Sequence, residues 1–193
     1  MWVMNISSKL IYLKSIVLGD GAVGKTSIVL RFAEDKFEHS YKATIGANVY
    51  ITSYRVPPDI QAKIAIWDLA GQQQFKYLIR TMDAYFHKAR IVLLVYDITR
   101  AYTFSSIPEW FAIARSKGLD PNETVYILVE NKVDLEEYRE VPPDAGEKMA
   151  SKLGLHGFIK TSAKTGYNVE EAFRLAVINL VKLALKRAKK VKN

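Results

Sequence analysis

Residues 19 to 26 read Gly19-Asp20-Gly21-Ala22-Val23-Gly24-Lys25-Thr26, a glycine-bracketed turn that ends in a cation and a hydroxyl. Such a turn suits a phosphate. Glycines let the backbone close around the anion, successive amides point inward, and a helix opening at Lys25 adds its positive end. Lys25 would reach the outer phosphates and Thr26 would ligate magnesium. A second group, Asp68-Leu69-Ala70-Gly71-Gln72, follows an apolar run ending at Trp67. Asp68 can hold magnesium through water, Gly71 offers an unobstructed amide to a terminal phosphate, and Gln72 has the donor and acceptor needed to orient water. Thr44, in Thr44-Ile45-Gly46, supplies another hydroxyl for the metal.

Asn131-Lys132-Val133-Asp134 carries the base specificity. An ionised Asp134 only accepts hydrogen bonds, so it matches an edge with an imino N–H beside an exocyclic amine, which guanine has and adenine lacks. Lys132 can lay its aliphatic stem over the purine, and Asn131 can brace neighbouring loops. In Thr161-Ser162-Ala163-Lys164 the small Ala163 lets its backbone amide approach the base oxygen. Each short segment also has a plain structural reading: Asp68 as a helix cap, Asn131 to Asp134 as a solvated turn, Thr44 as the start of a strand. Their positions relative to the phosphate loop favour the chemistry.

To bring these groups together the chain needs a sheet whose strand ends share one edge. Apolar, β-branched runs recur at Ile11 to Leu18, Ile60 to Trp67, Ile91 to Tyr96, Val125 to Val129 and Gly157 to Ile159. Val49 to Val56 joins Ile60 through Pro57-Pro58-Asp59 and reads as a hairpin. Helical periodicity runs from Lys25 to Ala33, Gln73 to Tyr85, Phe104 to Lys117, Pro143 to Leu153 and Val169 to Lys190. The expected fold is α/β: a six-stranded, mainly parallel sheet with one antiparallel edge strand and helices on both faces. Ligands of such sheets sit beyond the carboxyl ends of the strands.

With 193 residues and 49% hydrophobic content, the chain suits a single domain. It has no cysteine, which excludes disulfides, thiolate metal sites and thiol catalysis. No signal peptide is expected, and no apolar run approaches the ~18 residues of a membrane-spanning helix. The net charge of +8 owes six positive charges to Lys182, Lys186, Arg187, Lys189, Lys190 and Lys192; without them 22 basic residues face 20 acidic ones. The basicity therefore belongs to a terminal segment, and nucleic-acid binding is not expected.

The residues resemble the Ras superfamily of small GTPases from about Ile11 to Lys182, through the ordered set GDGAVGKT, Thr44, WDLAGQ, NKVD and TSAK. Among the branches the similarity is to Rab proteins, through Asp35-Lys36-Phe37, Thr44-Ile45-Gly46, Trp67-Asp68 and Leu94-Val95-Tyr96-Asp97-Ile98-Thr99. The resemblance implies a P-loop NTPase-type G domain over residues 1–181, followed by a basic tail, 182–193, that continues the last helix. It implies GTP and GDP as substrate and product and Mg2+ as cofactor. Gly19, Ala22, Val23, Gly24, Lys25, Thr26 and Ser27 would surround the phosphates, Phe37 would pack on the guanine, and Tyr41 would cover the phosphates. Thr44 and Gly71 would meet the γ-phosphate, and Asn131, Lys132, Asp134, Ser162, Ala163 and Lys164 would hold the base. The metal would be held by Thr26, Thr44 and Asp68. Gln72 would position the attacking water, Lys25 would stabilise charge, and Gly21 would leave the water room.

The same resemblance implies effector and regulatory partners, a cytoplasmic location and a slow hydrolysis that a partner accelerates. The chain ends without a cysteine, so no prenyl anchor is expected. Weak electrostatic attraction of the basic tail to anionic membranes competes with a solvated helix end, and the second is preferred. Departures from the family pattern are Leu69 for threonine, Gln73-Gln74 for a charged pair, Val49 for phenylalanine, Glu130 for glycine, and a longer segment from Arg80 to Ala89. The first two raise the alternative of a nucleotide-binding scaffold with negligible turnover. A P-loop kinase or ATPase is disfavoured by Asp134.

Overall fold

The computed structural model describes residues 9–37, 43–56 and 60–191. The strands are β1 Lys9–Leu18, β2 Ala47–Val56, β3 Ile60–Leu69, β4 Ile91–Asp97, β5 Val125–Asn131 and β6 Gly157–Lys160. The α-helices among the described residues are α1 Lys25–Glu34, α2 Gln73–Thr81, α3 Ala101–Ser105, α4 Ile107–Ser116, α5 Ala145–Lys152 and α6 Val169–Val191, with 3-10 turns at Asp83–Tyr85 and Val133–Tyr138. The strands form one sheet of order β2-β3-β1-β4-β5-β6, in which only the β2–β3 pair is antiparallel.

β4 and β5 are buried along their whole length, as unbroken apolar runs in a central parallel sheet should be. On one face Val17, Ile64, Leu93 and Ile127 pack with Ile28 of α1 and Phe173 of α6. On the other, Ile16, Leu94 and Leu128 pack with Ile79 of α2, Trp110 of α4 and Ala150 of α5. Each fully buried aliphatic side chain contributes about 1.5–3 kcal/mol relative to exposure. The parallel strands β1, β3, β4, β5 and β6 thus deliver their carboxyl ends to a single edge, and the loops after them form the site.

Local chemistry explains where elements begin and stop. α1 opens after Gly24 and closes at Asp35, whose left-handed backbone (φ 52) lets its N–H reach the Leu30 carbonyl. Pro108 stands in the first turn of α4, where a missing N–H costs nothing. Most boundaries shift by one or two residues from the sequence expectation, and three of the differences have a clear cause. β3 continues past Trp67 to Leu69, because Asn48 and Ala47 of β2 pair with Asp68 and Leu69. The helix expected from Gln73 to Tyr85 stops at Thr81: Met82 is extended, and a 3-10 turn, Asp83–Tyr85, then seats the buried Phe86. The helix expected from Phe104 begins three residues earlier, at Ala101, and is broken at Ser106 into α3 and α4.

Leu69 and Glu130 both lie in the interior, Leu69 in the apolar cluster beneath α2. α6 runs through residues 181 and 182 without a break, packing Leu180 and Leu183 on the core while Lys182, Lys186, Arg187 and Lys189 stay exposed. No helix among the described residues is long and apolar enough to cross a membrane.

Candidate functional site

The turn after β1 is shaped by close approaches that only glycine permits. A Cβ on Gly19 (φ +147) would lie 2.2 Å from the Val95 carbonyl oxygen, and one on Gly24 (φ +95) would lie 2.3 Å from Asn131 Nδ2. Ala22 has φ 60, which costs an L-residue roughly 1–2 kcal/mol. Inside the turn the Lys25 ammonium donates to the carbonyls of Gly19 (2.9 Å) and Asp20 (2.8 Å). Lys25 is only 6% exposed, and burial pushes its pKa down from 10.5 to about 8 against the attraction of Asp68 and Asp20.

Gly71 closes over this lysine: a Cβ there would stand 2.1 Å from Lys25 Nζ and 2.3 Å from Gly19 O. A Cβ on Gly21 would stand 3.2 Å from Cγ of Gln72. The sequence reading gave Gly21 the task of leaving space for water; in this structure any side chain at position 21 meets Gln72 itself.

Thr26, Thr44 and Asp68 come together although 42 residues separate the first from the last. Thr26 Oγ1 donates to Asp68 Oδ2 at 2.6 Å and lies 2.9 Å from Thr44 Oγ1. Asp68 is fully buried, and its Oδ1 has no hydrogen-bond partner among the described residues. Burial raises its pKa, opposed by the Thr26 hydroxyl and the Lys25 charge. Asp68 was expected just after a strand; it lies inside β3, where pairing with Asn48 fixes its direction. These hard oxygen donors, one of them buried and unpaired, fit a magnesium ion that completes its shell with water and phosphate oxygens.

At the other end of the site, the buried Asn131 joins three segments. Its Nδ2 donates to the Val23 carbonyl (2.9 Å), while its Oδ1 accepts from Thr161 Oγ1 (3.1 Å) and the Ala163 amide (3.2 Å). The Ala163 N–H, expected to face the base oxygen, is thus directed at Asn131 through a long bond. Asp134 is exposed, which differs from the buried carboxylate that base discrimination calls for; its Oδ1 accepts the Ser162 hydroxyl at 2.6 Å. Lys132 has a left-handed backbone (φ 69), and its ammonium pairs with the buried Asp97 at 2.7 Å. Lys164 is exposed, and its carbonyl accepts from Arg31, whose guanidinium lies 6.0 Å from the centre of the Phe37 ring.

Between the two ends lies a cavity of about 330 Å³, the size of a small-molecule pocket. Gly21, Ala22, Gly24, Lys25, Thr26 and Ser27 line one side, and Thr44, Gly71 and Gln72 another. Phe37, Asn131, Lys132, Asp134, Ala163 and Lys164 complete its walls. Gly19, Val23, Asp68 and Ser162 support it through the contacts above. Tyr41 falls outside the described residues. Sequence reasoning passed over Leu30 and Leu135, which add apolar wall, and the cluster at Asp97 and Arg100 behind it. An aspartate at the end of an apolar strand, level with Asn131, was the one available signal.

Glu130 is likewise explained. Its carboxylate is fully buried, accepts the Tyr96 hydroxyl at 2.5 Å and pairs with Arg139 at 2.8 Å. Arg139 also grips Glu136, so the acid fastens the segment that carries Lys132 and Asp134. Burial and the bond to Glu130 push the Tyr96 phenol well above its usual range.

Residues 14–182 match the model of the Ras family, and the chain belongs to that family. Its members are small GTPases, which hydrolyse GTP. Within it the chain is Rab-related. It is 41% identical over 160 residues to the Arabidopsis thaliana protein "Ras-related protein RABA6b", covering 83% of this chain and 67% of that one. It is also 41% identical to "Ras-related protein RABA6a" of the same plant, over 164 residues, covering 85% of this chain and 67% of the relative.

Proposed function

We propose that this protein is a magnesium-dependent guanine-nucleotide switch that hydrolyses GTP and is read by effector and regulatory proteins in its two forms. The observation that carries this reading is the convergence of the Lys25 turn, the Thr26–Thr44–Asp68 oxygens and the Asn131–Asp134 segment on one cavity. Residues 1–181 would form the G domain and 182–193 a basic extension of α6. The protein would act in the cytoplasm, with at most a weak electrostatic hold on anionic membranes.

In hydrolysis a bond forms between the oxygen of water and the γ-phosphorus as the bond to the β–γ bridging oxygen breaks. GDP leaves, and the water's proton ends on inorganic phosphate. Gln72 orients the water, while Lys25 neutralises charge developing on the phosphate oxygens. Thr26, Thr44 and, through water, Asp68 would hold a magnesium ion, which would supply further positive charge there. Loss of the γ-phosphate removes the contacts of Thr44 and Gly71, so both loops change and partners sense the difference. Base choice rests on Asp134, whose carboxylate becomes buried against the purine edge.

Leu69, one of the two departures that raise the alternative of a non-hydrolysing scaffold, is buried beneath α2 and does not line the cavity. The test is to extract the nucleotide from gently purified protein, measure magnesium-dependent uptake of labelled GDP, and follow phosphate release in a single turnover. Guanosine occupancy and slow release are expected. Absence of both guanosine and magnesium-dependent uptake at micromolar concentrations would overturn the proposal, and binding without release would leave the scaffold. Asp134→Asn should move preference towards xanthine nucleotides.

A further inference from the structure

Asp97 ends β4 directly beside Asn131 in the β4–β5 register, one residue before Lys132. Its carboxylate is completely buried, and its two oxygens serve different ends. Oδ1 accepts the backbone N–H (2.9 Å) and hydroxyl (2.8 Å) of Thr99, which shapes the turn into α3. Oδ2 is spent on two cations: the Lys132 ammonium at 2.7 Å and the Arg100 Nε–H at 2.9 Å. Arg100 then donates through Nη2 to the Gly21 carbonyl at 3.2 Å and through Nη1 to the Tyr102 hydroxyl at 3.0 Å.

A turn needs only one of these oxygens. Burying a carboxylate costs several kcal/mol, and apolar replacement of a buried ion pair is often neutral or stabilising, so stability alone gives little reason for the second set of contacts. What Oδ2 does is geometric. Lys132 sits in a left-handed conformation that a non-glycine residue holds only when its surroundings fix it. Gly21 is the residue whose Cβ would touch Gln72, so the Arg100 bond holds the backbone at the point where the phosphate turn meets α2.

We propose that Asp97 is a positioning residue that ties the base end of the nucleotide site to its phosphate end, one carboxylate oxygen holding both Lys132 and, through Arg100, the Gly21 carbonyl. The proposal rests on the guanine-nucleotide reading above. It makes residence of the nucleotide depend on a group that touches neither base nor phosphate.

The experiment loads the full chain with a fluorescent GDP analogue in magnesium and measures its dissociation into excess GDP for the parent, Asp97→Asn, Lys132→Met and the double variant. Asp97→Asn should speed dissociation by about tenfold or more, and the double variant should fall short of the product of the single effects by at least about threefold, as residues in one ion-pair network do. A loosened fold would multiply the two effects instead, and that multiplicative result, or an unchanged rate in Asp97→Asn, overturns the proposal. If Asp97→Asn does not fold, the cycle of Lys132→Met with Arg100→Met reads the same hub: coupled through Asp97 as proposed, or independent and the proposal fails. Failure of the parent itself to take up the analogue would instead count against the guanine-nucleotide reading.

Discussion

Replacing Arg139 by methionine would strand the Glu130 carboxylate inside the protein. Glu130 is fully buried, with Arg139 Nη2 at 2.8 Å, the Tyr96 hydroxyl at 2.5 Å, and one other cation, Lys160, at 3.8 Å with a side chain 41% exposed. Removing one partner of a buried pair typically costs about 3–5 kcal/mol. Lys160 is half in water and offsets little, and the phenol still donates, so a loss of about 3 kcal/mol is expected, near the lower bound. The lost bond from Arg139 to the Val141 carbonyl and its exposed pair with Glu136 lie within that figure. Urea unfolding at pH 7 measures it directly. Adding Glu130→Gln removes the stranded charge and should recover at least about 1 kcal/mol, giving a double-mutant cycle with clear coupling. The same substitution frees the segment bearing Lys132 and Asp134, so GDP should dissociate faster from Arg139→Met than from the parent. A loss below about 1 kcal/mol, or strict additivity with Glu130→Gln, would refute the view that Arg139 compensates the buried Glu130 charge.

Lys25, with its pKa lowered from 10.5 to about 8, carries a desolvation cost that is fully present below pH 8, where folded and unfolded chains are both protonated. Between 8 and 10.5 the unfolded chain binds more protons, so the nucleotide-free protein should gain stability with rising pH, by about 3 kcal/mol in all. The difference between parent and Lys25→Met should show that slope, and a flat difference would contradict it. Ser15→Ala should raise stability by about 1 kcal/mol in thermal unfolding, because the buried Ser15 hydroxyl has no hydrogen-bond partner among the described residues; a lower melting temperature would mean the hydroxyl is satisfied. Gly71→Ala should push Lys25 off the Gly19 carbonyl and slow single-turnover phosphate release, since the added methyl would also lie 2.3 and 2.4 Å from the backbone oxygens of Gly19 and Asp20, which cannot swing aside as a side chain can. Wild-type release from that variant would show that the Gly71 loop stands elsewhere during turnover.

Much of the candidate site is legible in short contiguous segments, whose glycines, lysines and hydroxyls state their chemistry locally and which line one cavity in the structure. The phosphate turn, Gly71 with Gln72, and Asn131 with Asp134 are of this kind. The fold was legible for the same reason: continuous apolar runs alternating with helical periodicity leave few options besides a sheet covered on both faces. Boundaries were less legible. β3 reaches Leu69 only because Ala47 and Asn48 of the edge strand β2 pair with its end, and the helix after Gln72 stops at Thr81, ahead of the turn that seats the buried Phe86.

By itself, the sequence determined which atoms are available, where the backbone can bend around an anion, and which strands must be interior, because glycine freedom, charge and hydrophobic period act over a few residues. Only the tertiary structure decided that Asp97 answers Lys132 and Arg100, that Glu130 answers Arg139 and Tyr96, and that Gly21 stands against Gln72. Except for Arg100, three residues beyond Asp97, those partners lie on different strands and loops. A buried charge is settled by whatever the packing brings within about 3 Å of it, and no local pattern in the chain encodes that distance.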